Sequence, residues 1–183
     1  MKPGLPVAAV IGTSRPSPEG RTFESACRRL GDSLPIDEIR LATGACGGFP
    51  DLLAGTFHAR GGSVTGYSPG ESLEDHVGRW SSPREGYTEL RFGFGGLLER
   101  QVAMLRDADL VIALGGNVGT LSELCMAVKL QRSVLIVQGF PGVASLFPEL
   151  LAKLDPYPAP RIGQVGADEF CRSVLAWVGR AAA

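Results

Sequence analysis

Ala108-Asp-Leu-Val-Ile-Ala-Leu114 runs straight into Gly115-Gly-Asn-Val-Gly119-Thr120-Leu-Ser-Glu123, and this junction decides the fold. The first half is a short apolar run, the pattern of a strand buried on both faces of a parallel sheet. The second half is a glycine-rich turn and the first turn of a helix beginning near Thr120. A strand ending this way leaves backbone N–H groups aimed at open space, and the positive end of the helix dipole adds to the same spot. Together they form an anion seat suited to a phosphate, built from Gly115, Gly116, Asn117, Gly119 and Thr120. Glu123 lies about one helical turn from that seat. Phosphate recognition beside a carboxylate suggests a nucleotide that is held and cut.

The same alternation repeats outward from the junction. Val7–Ile11 reads as a core strand ending in Gly12, and Phe23, Cys27 and Leu30 recur at helical spacing before Gly31 closes that helix. Ile36–Thr43 reads as a second strand, followed by the turn Gly44–Gly48 and a helix from about Pro50 to Arg60. Further strands are expected at Ser63–Tyr67, Thr88–Phe92 and Ser133–Val137, with a short last one at Arg161–Val165. Helices are expected at Gly95–Arg106, Leu121–Gln131, Gly142–Leu154 and Ala167–Arg180. Pro69–Gly86 reads as a long loop with one helical turn, a length typical of lids and binding loops. Strands alternating with helices predict an α/β fold: one doubly wound, Rossmann-like parallel sheet with helices on both faces. No composition shift divides residues 1–183, so a single domain is expected. Ligands of such sheets bind at the carboxyl ends of strands, where Gly12-Thr-Ser14, Gly44–Gly48 and Gly115–Thr120 all lie. Gly12, Ser14, Gly44, Cys46 and Gly47 are accordingly candidate nucleotide contacts.

Composition narrows the chemistry. The chain has 183 residues, 44% of them apolar, which supports a sizeable core. Its net charge is −1 and its 15 arginines are scattered, so no nucleic-acid polymer is expected as partner. The four cysteines are far apart and the two histidines are not at ligand spacing, so no metal site is expected. Reduced thiols, no secretory signal and no apolar run of about 18 residues point to a cytoplasmic protein without a membrane partner. The glycine turn is not followed by the lysine of a Walker A loop, and the first strand lacks Gly-x-Gly-x-x-Gly. ATPase and nicotinamide-dependent chemistry are therefore disfavoured, and no cofactor is expected.

Competing readings stand beside the functional ones. Thr120-Leu-Ser-Glu123 also matches a capping box, in which Glu123 would bond back to the cap and do no chemistry. By periodicity Arg100 is a solvated helix-face arginine. Cys46 fits as a small filler of its turn, Ser14 as a loop cap, and His58 and His76 as surface or core residues.

In combination the motifs resemble a known family. Gly115–Glu123 is similar to the Gly-Gly-x-Gly-Thr-x-x-Glu signature of the Lonely Guy (LOG) proteins, within the SLOG superfamily that includes bacterial molybdenum-cofactor carrier proteins. Val10-Ile-Gly-Thr-Ser14, Thr43–Pro50, Gly61–Pro69 and Leu98-Glu-Arg100 resemble its remaining segments in the same order, over roughly Val7–Val137. LOG enzymes cut the N-glycosidic bond of nucleoside 5′-monophosphates to base and ribose 5-phosphate. The resemblance implies Arg100 and Glu123 as the catalytic pair, a small-molecule nucleotide or phosphorylated cofactor as ligand, and a homodimer. The chain departs from the signature at Leu114, which replaces a proline, in one extra residue before Gly119, and in Gly44-Ala45-Cys46. These departures bring it nearer the carrier-like branch, which implies binding without turnover as the alternative.

Overall fold

The computed structural model describes residues 4–16, 22–154 and 160–181, with the side chains of 179–181 excepted. Residues 1–3, 17–21, 155–159, 182 and 183 lie outside that set. The strands are β1 (Val7–Gly12), β2 (Arg40–Thr43), β3 (Val64–Tyr67), β4 (Glu89–Arg91), β5 (Leu110–Leu114), β6 (Ser133–Val137) and β7 (Ile162–Val165). They form one sheet in the order β4-β3-β2-β1-β5-β6-β7, and every pairing is parallel. This is the doubly wound α/β fold. The chain winds one way from β1 to β4, then returns to the centre and winds the other way from β5. The reversal opens a crevice beyond the carboxyl ends of β1 and β5, where such sheets bind ligands.

Two apolar layers sandwich the sheet. Helices α1 (Glu24–Ser33), α2 (Gly48–Ala59) and α7 (Phe170–Ala181) bury Leu30, Phe49, Phe57 and Phe170 on one face, against Val10, Leu110 and Ile112. Helices α4 (Leu97–Asp107) and α5 (Val118–Lys129), with the short α6 (Phe147–Ala152), bury Met104, Leu124 and Phe147 on the other, against Ile11, Val111 and Ala113. Successive residues of β1 and β5 face opposite layers, so both strands must be apolar throughout. Among the described residues no helix is long and apolar enough to cross a membrane.

Three local expectations are corrected. Gly31 does not end α1, which continues to Ser33. A Cβ at Gly31 would overlap the Leu53 carbonyl, so this glycine lets α1 and α2 approach closely. The second strand begins at Arg40, since Pro35–Glu38 makes a turn closed by a 3.2 Å backbone bond. The third difference concerns α5, which begins at Val118 and not near Thr120, capped by the Asn117 side chain accepting from the Gly119 N–H at 3.2 Å. Thr120 therefore lies inside the first turn and Glu123 in the second. The capping-box arrangement is absent: Thr120 donates instead to the Gly12 carbonyl at 3.2 Å, and Glu123 is released from any capping duty. Pro69–Gly86 carries the expected short helix, α3 (Leu73–Gly78), capped by Ser72.

Candidate functional site

A cavity of about 280 Å³ opens at the crevice between β1 and β5. That is near the lower limit for small-molecule pockets. The amino-terminal ends of α2, α4 and α5 all border it, and each adds positive dipole potential. Gly12 and Ser14 line it from the end of β1, and Gly44, Cys46 and Gly47 from the turn after β2. Asn117, Gly119, Thr120 and Glu123 enter from α5, and Arg100 from α4.

Gly115 and Gly116 stand behind the wall and not on it. They adopt φ of +64° and +95°, values that suit glycine. Their carbonyls accept from Ala144 and Val143 at 3.3 and 2.8 Å, which ties the turn to the segment after β6. The Gly116 N–H donates to Thr13 Oγ1 at 3.0 Å. The N–H groups of Gly116 and Gly119 are thus both engaged within the chain. This pair of glycines shapes the seat, and the cavity-facing part begins at Asn117.

The opposite side is organised by Arg100. Only 5% exposed, it reaches from the first turn of α4 across the turn after β2. A Cβ at Gly44 would overlap its guanidinium, so Gly44 provides the space that Arg100 occupies. Nη2 points at Cys46 Sγ at 3.7 Å. Nε and Nη1 are buried and have no hydrogen-bond partner among the described residues. The next residue, Gln101, is 4% exposed and donates through Nε2 to Glu123 Oε1 at 3.2 Å, while its Oε1 is also unpartnered. A buried cation and a buried amide with open valences in a cavity lack part of their hydrogen-bonding shell.

Glu123 is 7% exposed. Burial pushes its carboxyl up to about 7, against the opposing pull of Arg100 and the Gln101 hydrogen bond. It therefore exchanges a proton near neutral pH, as a general acid or base requires. Burial likewise pushes the Cys46 thiol up, with Arg100 opposing. Cys46 donates to the Gly44 carbonyl at 3.1 Å and so braces its turn.

Several lining residues escape a linear reading of the chain. Asp51, in the first turn of α2, accepts from Thr43 Oγ1 and the Gly47 N–H, both at 2.5 Å, and so fixes the whole Thr43–Gly47 turn. Burial raises its pKa, which the Thr43 and Gly47 hydrogen bonds oppose. Arg15, Trp80, Leu97 and Gln101 also line the cavity. Position is the signal the sequence carries for two of them: Gln101 adjoins Arg100, and Asp51 sits one turn past a glycine-bearing loop. The four cysteines are free, His58 Nδ1 bonds the Gly62 carbonyl, and His76 is wholly buried away from the cavity lining.

Comparison with solved structures places this architecture among known proteins. The chain superposes on TM1055, a structural-genomics target, with a TM-score of 0.80 and 23% identity, covering 94% of this chain and 99% of that one. The molybdenum cofactor binding protein of the phototrophic bacterium Rippkaea orientalis follows with a TM-score of 0.73 and 19% identity, covering 97% and 99%. DNA processing protein A of Helicobacter pylori, described for its single-stranded DNA binding mode, matches with a TM-score of 0.58 and 16% identity, covering 93% and 80%. That last likeness corrects the exclusion of nucleic-acid polymers drawn from net charge. Single strands are held by local grooves and stacking platforms, which an overall charge of −1 does not preclude. No curated protein matches the chain in sequence. Residues 6–155 match the SLOG cluster4 family, and the chain belongs to it.

Proposed function

We propose that the chain binds a nucleoside 5′-monophosphate and hydrolyses its N-glycosidic bond, releasing base and ribose 5-phosphate. The observation that carries this reading is an unsatisfied Arg100 guanidinium and a Glu123 carboxyl that titrates at about 7, lining one cavity together with the α5 amino terminus. The 5′-phosphate is assigned to Asn117, Gly119 and Thr120, where the helix dipole favours an anion. Gly115 and Gly116 hold that turn from behind. Gly12, Ser14, Gly44, Cys46 and Gly47 border the rest of the nucleotide.

In the reaction the C1′–N bond breaks and its electron pair leaves with the base. Positive charge develops on the ribosyl ring, which ionised Glu123 stabilises. Water adds to C1′, its proton passes to Glu123, and the carboxyl returns a proton to the departing base. Arg100 supplies N–H donors to the anionic or electron-rich part of the ligand. Fixing the sugar between phosphate seat and carboxylate lowers the entropic part of the barrier.

A second reading is binding without turnover, as a carrier of a phosphorylated cofactor. It is favoured by the fold likeness to the molybdenum cofactor binding protein of Rippkaea orientalis. A product assay separates the two. The protein is incubated with a panel of nucleoside monophosphates and ribose 5-phosphate is measured over many turnovers. Turnover that Glu123→Gln abolishes in a folded chain supports hydrolysis. Tight binding with no product from any member of the panel supports the carrier.

A further inference from the structure

The Pro69–Gly86 segment has no part in the chemistry above, yet it is firmly built. His76, wholly buried, anchors it from the inside. The His76 Nδ1 faces Ser68 Oγ at 2.9 Å, and Nε2 lies 2.9 Å from the Pro83 carbonyl, to which it donates. Ser68 Oγ in turn accepts from the Gly70 N–H at 2.9 Å. The Ser82 N–H donates to the His76 carbonyl at 3.1 Å, and the Phe92 ring meets the imidazole edge-on. The chain is therefore pinned on both sides of Trp80, at residue 76 and again at 82 and 83. His76 thus ties together the backbone on either side of Trp80.

Trp80 lines the same cavity as Arg100 and the α5 amino terminus. The guanidinium of Arg79 lies over its ring, 5.5 Å from the centroid. The indole Nε1 is buried without a partner among the described residues. A rigidly held indole is a poor neighbour for a sugar phosphate and a good one for a flat ring. We propose that Trp80 is the specificity-determining wall of the cavity, against which the heteroaromatic ring of the ligand packs while its phosphate occupies the α5 seat. The preferred ligand is then a phosphorylated compound with a fused, flat heteroaromatic ring. This inference rests on the nucleotide reading of the cavity.

Calorimetric titration of the full chain tests it, with Glu123→Gln present in the wild-type reference and in every variant so that no nucleotide is cut, and with adenosine 5′-monophosphate, guanosine 5′-monophosphate and ribose 5-phosphate as probes. Trp80→Ala is expected to weaken both nucleotides on the order of 10- to 100-fold, the usual loss for one stacked base. Ribose 5-phosphate is expected to bind Trp80→Ala and wild type alike. Trp80→Phe keeps an aromatic face and removes a donor that has no partner, so it is expected to fold normally and bind nucleotides within about threefold of wild type. In a Trp177→Phe background Trp80 is the one remaining tryptophan, and its fluorescence is expected to be quenched by either nucleotide within seconds of mixing and not by ribose 5-phosphate. Equal losses for all three probes in Trp80→Ala, or no loss for the nucleotides, overturn the proposal. If ribose 5-phosphate binds wild type and neither nucleotide does, the stacking wall fails by itself. If none of the three binds, the nucleotide reading of the cavity fails with it.

Discussion

The two sides of the cavity are built on opposite principles. On the glycine-turn side, the polar groups are largely satisfied within the chain: Gly116 by Thr13, Gly119 by Asn117, and Thr120 by Gly12. On the Arg100 side, two guanidinium nitrogens and the Gln101 carbonyl oxygen are buried with no hydrogen-bond partner among the described residues. The first side holds its shape without a ligand, and the second is complete only when something else arrives. The contrast teaches that substitutions on the turn cost stability, whereas substitutions around Arg100 cost binding and leave stability intact or improved.

The largest effect is expected on the turn. A Cβ at Gly115 would overlap the Pro141 carbonyl, at a backbone φ of +64° that alanine resists. Gly115→Ala is expected to destabilise the fold by about 3–4 kcal/mol, the sum of strain and overpacking. For a chain of this size that lowers the thermal midpoint by about 10 °C. A midpoint unchanged by Gly115→Ala would break the comparison on this side.

Glu123 gives the next effect, with a sign fixed by its titration. Its carboxyl is raised from 4.5 to about 7 in the fold. Between those values the folded chain holds a proton that the unfolded chain has released, so stability falls as pH rises through the window. The full penalty, present above pH 7, is about 3 kcal/mol. Glu123→Gln carries no charge to desolvate and keeps an acceptor for Gln101. Urea unfolding is expected to find it more stable than wild type at pH 8 by up to about 3 kcal/mol and no more stable at pH 4. Lower stability at pH 8 would show that the carboxylate is compensated in a way the geometry does not reveal.

Arg100 sharpens the other half. Arg100→Met removes a buried cation that has open valences, and at pH 6, where Glu123 is protonated and needs no counter-charge, the thermal midpoint is expected to stay level or rise. Nucleotide affinity is expected to fall on the order of 100-fold, the loss for a buried charge-assisted contact. The smallest and most selective effect belongs to Gly44→Ala. The added methyl meets the mobile end of Arg100 and not backbone, so the fold accommodates it while the guanidinium moves. Affinity is expected to drop about tenfold with the midpoint within about 2 °C of wild type.

Parts of this contrast are readable from the chain and parts are not. The strands around the crevice are legible because burial on both faces leaves β1 and β5 uniformly apolar. The turn at Gly115–Thr120 is legible because its first two positions take positive φ values that suit glycine. Arg100 is different: by periodicity it belongs on a solvated face, and resemblance alone singles it out. It is buried because Gly44, more than fifty residues earlier, vacates the space. Asp51, Trp80 and Gln101 have no spacing that links them, since parallel crossovers bring them together from three separate helices and loops. The helix α5 starts three residues before the Leu121 that the sequence suggests, because Thr120 and Asn117 are both good caps and the bond from Thr120 to Gly12 decides between them.

The unsatisfied side of the cavity is proposed to complete itself with a nucleotide, which the chain then cuts. The most direct measurement is a single-turnover reaction at pH 7, with protein in excess over a nucleoside 5′-monophosphate and both products counted. Wild type is expected to yield one equivalent each of base and ribose 5-phosphate, while Glu123→Gln retains the bound nucleotide uncut. Intact nucleotide recovered quantitatively from the wild-type complex would contradict the account.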